Sequence, residues 1–162
     1  MRPLVFLLSS CLAFVPGLHA DDNLKELGSV KIVVEDLNPG GREVGLTTDW
    51  LESVLLVALK RDLPRLRIGK DFLSFVYLNV HVMKEHTVGG RLQGCAAAVD
   101  LKVYRPAHIL SDDLGSRVLF AVVTVWQKGD LLSGSCDSIG QQVKESVDKL
   151  VTRLAADYYR AN

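Results

Sequence analysis

Three runs in which apolar side chains recur at every second residue limit what this chain can fold into. Between Phe72 and Lys84, Val76, Leu78, Val80 and Val82 share one side, and Phe75, Tyr77, Asn79, His81 and Met83 share the other. Successive strand residues point to opposite faces, so this period predicts a strand with one apolar face. Residues 94–105 and 117–128 repeat the pattern across a polar connection, Ser111-Asp112-Asp113-Leu114-Gly115-Ser116, which predicts long antiparallel neighbours. A sheet with one apolar face needs a second layer to cover it.

Two helical patterns supply that layer. Thr47, Thr48 and Asp49 offer N-cap oxygens and Glu52 stands three residues after Asp49. Leu51, Val54, Leu55, Ala58 and Leu59 then recur at helical spacing up to the break at Pro64, predicting a helix over 49–62. From Ser138 to Tyr159, Ile139, Val143, Val147, Leu150, Val151, Leu154 and Tyr158 share a face opposite Gln142, Lys144, Glu145, Lys149 and Arg153. An earlier strand, Val30 to Asp36, runs into a turn at Asn38-Pro39-Gly40-Gly41. The order β-α-β-β-β-α predicts an α+β two-layer sandwich, a mostly antiparallel sheet of four or five strands with two helices on one face.

The amino terminus reads as an address. Arg2 precedes an apolar stretch from Leu4 to Phe14, and Leu18-His19-Ala20 is a small-residue cleavage site, the pattern of a secretory signal cut after Ala20. The stretch is shorter than the roughly 20 residues a membrane helix needs. Leu8-Ser9-Ser10-Cys11 gives an alternative, a lipoprotein box with Cys11 retained, although the chain after Cys11 stays apolar. Cleavage removes one of the 19 basic residues, Arg2, and leaves 142 residues with 18 basic and 19 acidic side chains, a formal charge of −1. That size predicts one domain over 21–162, with no transmembrane segment after cleavage. The balanced charge provides no footprint for nucleic acid or an anionic membrane.

Export also bears on the cysteines. Cys11 leaves with the signal, and Cys95 and Cys136 remain in a compartment where disulfides persist, so a bond between them is expected, with two separate buried thiols as the alternative. Placing Arg105 near Arg117 across the hairpin brings Cys95 towards the end of the last strand, a few residues short of Cys136.

Recognisable catalytic chemistry is hard to find. Gly134-Ser135-Cys136-Asp137-Ser138-Ile139-Gly140 lacks the glycine spacing of a nucleophile elbow and reads as a loop and helix N-cap. His81 and His86 lie five apart, which matches neither a helical nor a strand pair of metal ligands, and His108 stands alone. Glu85, Asp112 and Asp113 read as solvated turn charges. Gly89-Gly90-Arg91-Leu92-Gln93-Gly94 precedes a strand, whereas phosphate cradles lead into a helix. No catalytic residue, cofactor or metal site is assigned.

The feature that stands out is distributed over the strands. If Val76, Leu78, Val80, Val99, Leu101, Val103, Leu119, Ala121, Val123 and Val125 face the helices, the opposite face carries Tyr77, Asn79, His81, Asp100, Lys102, Tyr104, Phe120, Val122, Thr124 and Trp126. Tyr77, His81, Tyr104, Phe120 and Trp126 are the candidates for a partner-binding surface, because aromatics give large contact area at low ordering cost. Cross-strand stabilisation of an ordinary solvated face is the competing reading.

Gly45-Leu46-Thr47, Val76-Tyr77-Leu78-Asn79-Val80, Thr124-Val125-Trp126-Gln127-Lys128-Gly129 and Asp157-Tyr158-Tyr159-Arg160-Ala161-Asn162 carry a resemblance to a broad, uncharacterised group of small exported bacterial α+β proteins. The element order also resembles that of periplasmic domains of the TolB amino-terminal, CsgG and LpoB type, at the level of topology. The resemblance implies an exported α+β domain and brings no catalytic residue with it. The expected function is a non-enzymatic periplasmic or secreted accessory domain with an envelope protein as partner. The alternative is a small-ligand or lipid carrier, suggested by the apolar surface from Trp50 to Leu59, and a hydrolase comes third.

Overall fold

The alternating runs become the central strands of an open five-stranded sheet in the computed structural model. Described are residues 24–86, 89–90, 92–111 and 117–162, with the backbone alone at 92, 108–111 and 117–120. The export signal, Cys11 and the cut after Ala20 therefore lie outside the described residues, as does the 112–116 connection. The order is β1 (Ser29–Val34), α1 (Pro39–Glu43), α2 (Thr48–Asp62), β2 (Arg67–Ile68), β3 (Phe75–His86), β4 (Leu92–Ser111), β5 (Arg117–Gly134) and α3 (Ile139–Ala161). In space the strands run β2-β1-β3-β4-β5, and the fold is the expected α+β class.

The antiparallel part is β3-β4-β5, while β1 lies parallel to both β2 and β3. Short β2 escapes the sequence reading because two residues cannot show a period. The turn expected at Asn38 is instead capped as a short helix. The Asn38 side chain accepts from the Gly41 N–H, and it also donates to the Val82 carbonyl at 2.6 Å and accepts from the Val82 N–H at 3.1 Å. The amide thus stands in for one more strand residue beside β3.

Both amphipathic patterns fold as read. The Thr47 hydroxyl caps α2 by accepting from the Trp50 N–H at 3.2 Å, and Leu51, Leu55, Ala58 and Leu59 are fully buried. They meet Val76, Leu78, Leu101 and Val103 of the sheet and Val143, Val147, Leu150 and Leu154 of α3 in one core. Ser138 precedes α3, but its side chain makes no cap bond to the helix; its hydroxyl donates to the Ser135 carbonyl instead. Asp62 joins the two helices. Its carboxylate accepts from Arg61 Nε at 2.6 Å and from the Thr152 hydroxyl at 2.9 Å, and its carbonyl accepts from the Tyr159 hydroxyl. Arg61 first, then Thr152, hold the Asp62 carboxyl below its usual pKa.

The β4–β5 register corrects the one assumed from sequence. Arg105 stands opposite Val123, and the last pair before the connection is Ser111 with Arg117. The hairpin is longer than assumed, which places Cys95 opposite Gly134, only two residues before Cys136. The disulfide forms as expected, with Cα atoms 4.9 Å apart and a sequence separation of 41. Closing a loop of that length restricts the unfolded chain by about 2–4 kcal/mol. Replacing both cysteines with serine is expected to lower the urea-unfolding free energy by about that amount, measured against the oxidised protein by circular dichroism.

Candidate partner-docking face

One face of the sheet is covered by α2 and α3; among the described residues no element covers the other. β3 and β4 set the rows across this open face. Phe75 pairs with Tyr104, Tyr77 with Lys102, Asn79 with Asp100, His81 with Ala98 and Met83 with Ala96. β5 extends them with Thr124 beside Tyr104, Gln127 beside Lys102, Gly129 beside Asp100 and Leu131 beside Ala98. The alternation predicted for β3 and β4 holds: Val76, Leu78, Val80, Val99, Leu101 and Val103 are buried.

Tyr77 and Tyr104 come together as expected, with Phe75 as a third ring. Phe75 and Tyr104 stack at 4.7 Å with 19° between planes, and Tyr77 meets Tyr104 edge-on at 6.0 Å and 88°. Lys31 on β1 places its ammonium 5.4 Å from the Phe75 ring centre, within cation–π range. The Tyr77 hydroxyl donates to the Glu35 carboxylate. Burial first, then this carboxylate, pushes the Tyr77 phenol up to about 12.

His81 is exposed on the same face but lies towards the other end of the sheet, in the row that ends at Leu131, 88% exposed. Asp100 and Gly129 occupy the middle. A Cβ at position 129 would come within 2.5 Å of the Asp100 Oδ1, so glycine gives that carboxylate its place. The open face thus has an aromatic end, a polar centre and an apolar end with Met83 and Leu131. Phe75 could have been found from the period alone; Leu131 could not, because its facing depends on an irregularity in the pairing of β5 with β4.

Trp126 does not belong to this face. It is 6% exposed, stands opposite buried Val103, and its indole N–H donates to Asp157 of α3 at 2.9 Å. The cause is a β-bulge. Tyr104 pairs with Thr124 while Val103 pairs with Trp126, so Val125 is an extra residue and the facing of β5 reverses after it. Even-numbered residues beyond the bulge point to the helices, including Asp130, whose carboxylate accepts from Ser146 and lies 3.3 Å from Arg153 and 3.5 Å from Lys149. Phe120 pairs with His108 in β5, but its side chain lies outside the described ones.

Among the described residues no three His, Cys, Asp or Glu side chains gather as metal ligands. Trp50 and Val57, from the apolar run that suggested a carrier, line an open groove between α2 and α3 with Arg61, Lys144 and Asp148.

No protein-family model matches the chain, and no curated protein matches it. Among solved structures it is similar to the PelC dodecamer from Paraburkholderia phytofirmans, at 13% identity, covering 79% of this chain and 87% of that one, with a TM-score of 0.45. Protein XCC0632 from Xanthomonas campestris gives 15% identity over 78% of both chains and a TM-score of 0.35. Rare lipoprotein B from Shewanella oneidensis gives 7% identity, 81% and 92% coverage, and a TM-score of 0.25. Likenesses this distant establish no family.

Two outcomes follow from the two sides of the sheet. Trp126→Phe removes one hydrogen bond to Asp157 and should cost about 1 kcal/mol in urea unfolding, with no effect on a surface that the indole does not reach. Tyr77 binds its proton more tightly folded than unfolded, so its contribution is present below pH 10 and is lost as pH rises towards 12. The phenolate absorbance difference between wild type and Tyr77→Phe should therefore develop near pH 12; a midpoint at pH 10 would contradict the Glu35 contact.

Proposed function

We propose that this protein is exported through its amino-terminal segment, cut after Ala20, and works in the periplasm or outside the cell as a single accessory domain over 21–162. It acts without catalysis, by docking an envelope protein on the open sheet face. The Phe75–Tyr77–Tyr104 cluster carries the reading. Three rings held against each other on an uncovered face present contact area that is already ordered, so a partner does not have to immobilise them. Lys31 and Lys102 flank the rings and Glu35 and Asp100 lie beyond them, which provides the polar rim that such interfaces use.

Location has its own support. The Cys95–Cys136 disulfide fits an extracellular or envelope compartment, and among the described residues no helix is long and apolar enough to cross a membrane. The carrier reading has less to rest on, because Leu51, Leu55, Leu59, Leu78, Leu101 and Leu150 fill the space between helices and sheet and are fully buried.

The test is crosslinking of the tagged protein in its native cells, then affinity capture and mass spectrometry. Recovery of one envelope protein is expected, reduced about tenfold or more by Tyr77→Ala/Tyr104→Ala when circular dichroism shows the variant folded. Equal recovery by the folded variant would remove the open face as the docking surface.

A further inference from the structure

Among the described residues, one of the sheet's two edges carries the usual protection and the other does not. β5 is broken by the bulge at Val125 and presents Lys128 beyond it, devices that discourage pairing with another chain. At the other edge, β2 pairs with Ser29 and Val30 and then leaves. Its last bond to β1 is the Gly69 N–H donating to the Val30 carbonyl at 3.1 Å. The Lys31 N–H donates to Ser74 and the Glu35 N–H to Leu78, so odd-numbered residues of β1 bond towards β3. The main chain of Ile32 and Val34 therefore faces the side where, among the described residues, no strand pairs with it.

Beside this free stretch lies a groove between the edge and α2. Ile32, Leu56 and Ile68 form its apolar lining, with Gly69 beside them. Lys60 and Lys70 stand exposed on its rim, and among the described residues neither has a carboxylate within ion-pairing distance. Glu52 is the single acid in the lining, and the Lys31 ammonium is turned over the Phe75 ring on the opposite face.

We propose that an extended acidic segment of a protein partner adds as a strand to this edge. It continues the line of β2 past Gly69, pairs its backbone with Ile32 and Val34, and on its helix-facing side sets apolar side chains on Leu56 and Ile68 and carboxylates beside Lys60 and Lys70. Strand addition draws affinity from main-chain bonds and selectivity from the alternating side chains. Charge selects the occupant, since a basic segment would bring like charges to two lysines that have no counter-ion among the described residues. This surface is separate from the Tyr77–Tyr104 face, so either can stand without the other.

The probe is a labelled valine–glutamate peptide, about six residues long to match a strand, with valine and glutamate taking turns on one face and threonine on the other, titrated into the disulfide-intact protein by fluorescence anisotropy. A valine–lysine peptide and a valine–glutamate peptide N-methylated at alternate residues are the controls. Binding of the acidic peptide about tenfold tighter than the basic one is expected, with loss on N-methylation and about tenfold weakening in Lys60→Glu/Lys70→Glu. Hydrogen exchange at the Ile32 and Val34 amides should slow on binding, and Tyr77→Ala/Tyr104→Ala should leave the affinity unchanged. Equal affinity for both peptides, tolerance of N-methylation, or protection appearing on β5 in place of β1 would overturn the proposal.

Discussion

The apolar side of β3 and β4 has to be covered, and the placement of the other elements follows from that need. Val76, Leu78, Val80 and Val82 stand beside Val99, Leu101 and Val103, and all seven are 3% exposed or less. Left in water, each such side chain would forgo roughly 1.5–3 kcal/mol of burial. Helices α2 and α3 lie side by side over this row, with Leu51, Leu55 and Leu59 from one and Val147, Leu150 and Leu154 from the other. The Arg61–Asp62–Thr152 contacts tie the pair at the surface, where they add orientation more than stability.

One inserted residue then decides how the edge strand serves this core. Without the extra Val125, Trp126 and Asp130 would point into solvent on the open side. With it they reach α3, Trp126 through Asp157 and Asp130 through Ser146, Lys149 and Arg153. The disulfide ties the far end, where Cys95 on β4 lies across from the exit of β5. The helix that closes the fold is thus held along its length by a strand whose two halves face opposite ways.

The surfaces available for function are those that this packing leaves over. Covering one side of the sheet with both helices leaves the Phe75, Tyr77 and Tyr104 rings on the other side, ordered by one another and by Lys31 and Glu35. Ending β2 after two residues leaves β1 with main-chain groups beside an apolar groove and two lysines, Lys60 and Lys70, that have no ion-pair partner among the described residues. Both are recognition features and neither holds a grouped acid, base and nucleophile.

The sequence by itself determined the element types and most of the core, because period two and period 3.6 are local consequences of backbone geometry. It pointed to Tyr77, Tyr104 and His81 sharing a face, since β3 and β4 keep a regular register from Phe75 to Glu85, and to a bond between Cys95 and Cys136, with two separate thiols as the alternative. Tertiary structure decided what depends on pairing between distant residues. Register set the length of the β4–β5 hairpin and the position of Cys95, and the bulge moved Trp126 inside, because an extra residue reverses facing and leaves composition unchanged. It also decided that Asn38 starts a short helix, since the bonds that fix it run to Val82, 44 residues away. The open edge of β1 had the same origin: which strand lies beside Ile32 is a property of the assembled sheet.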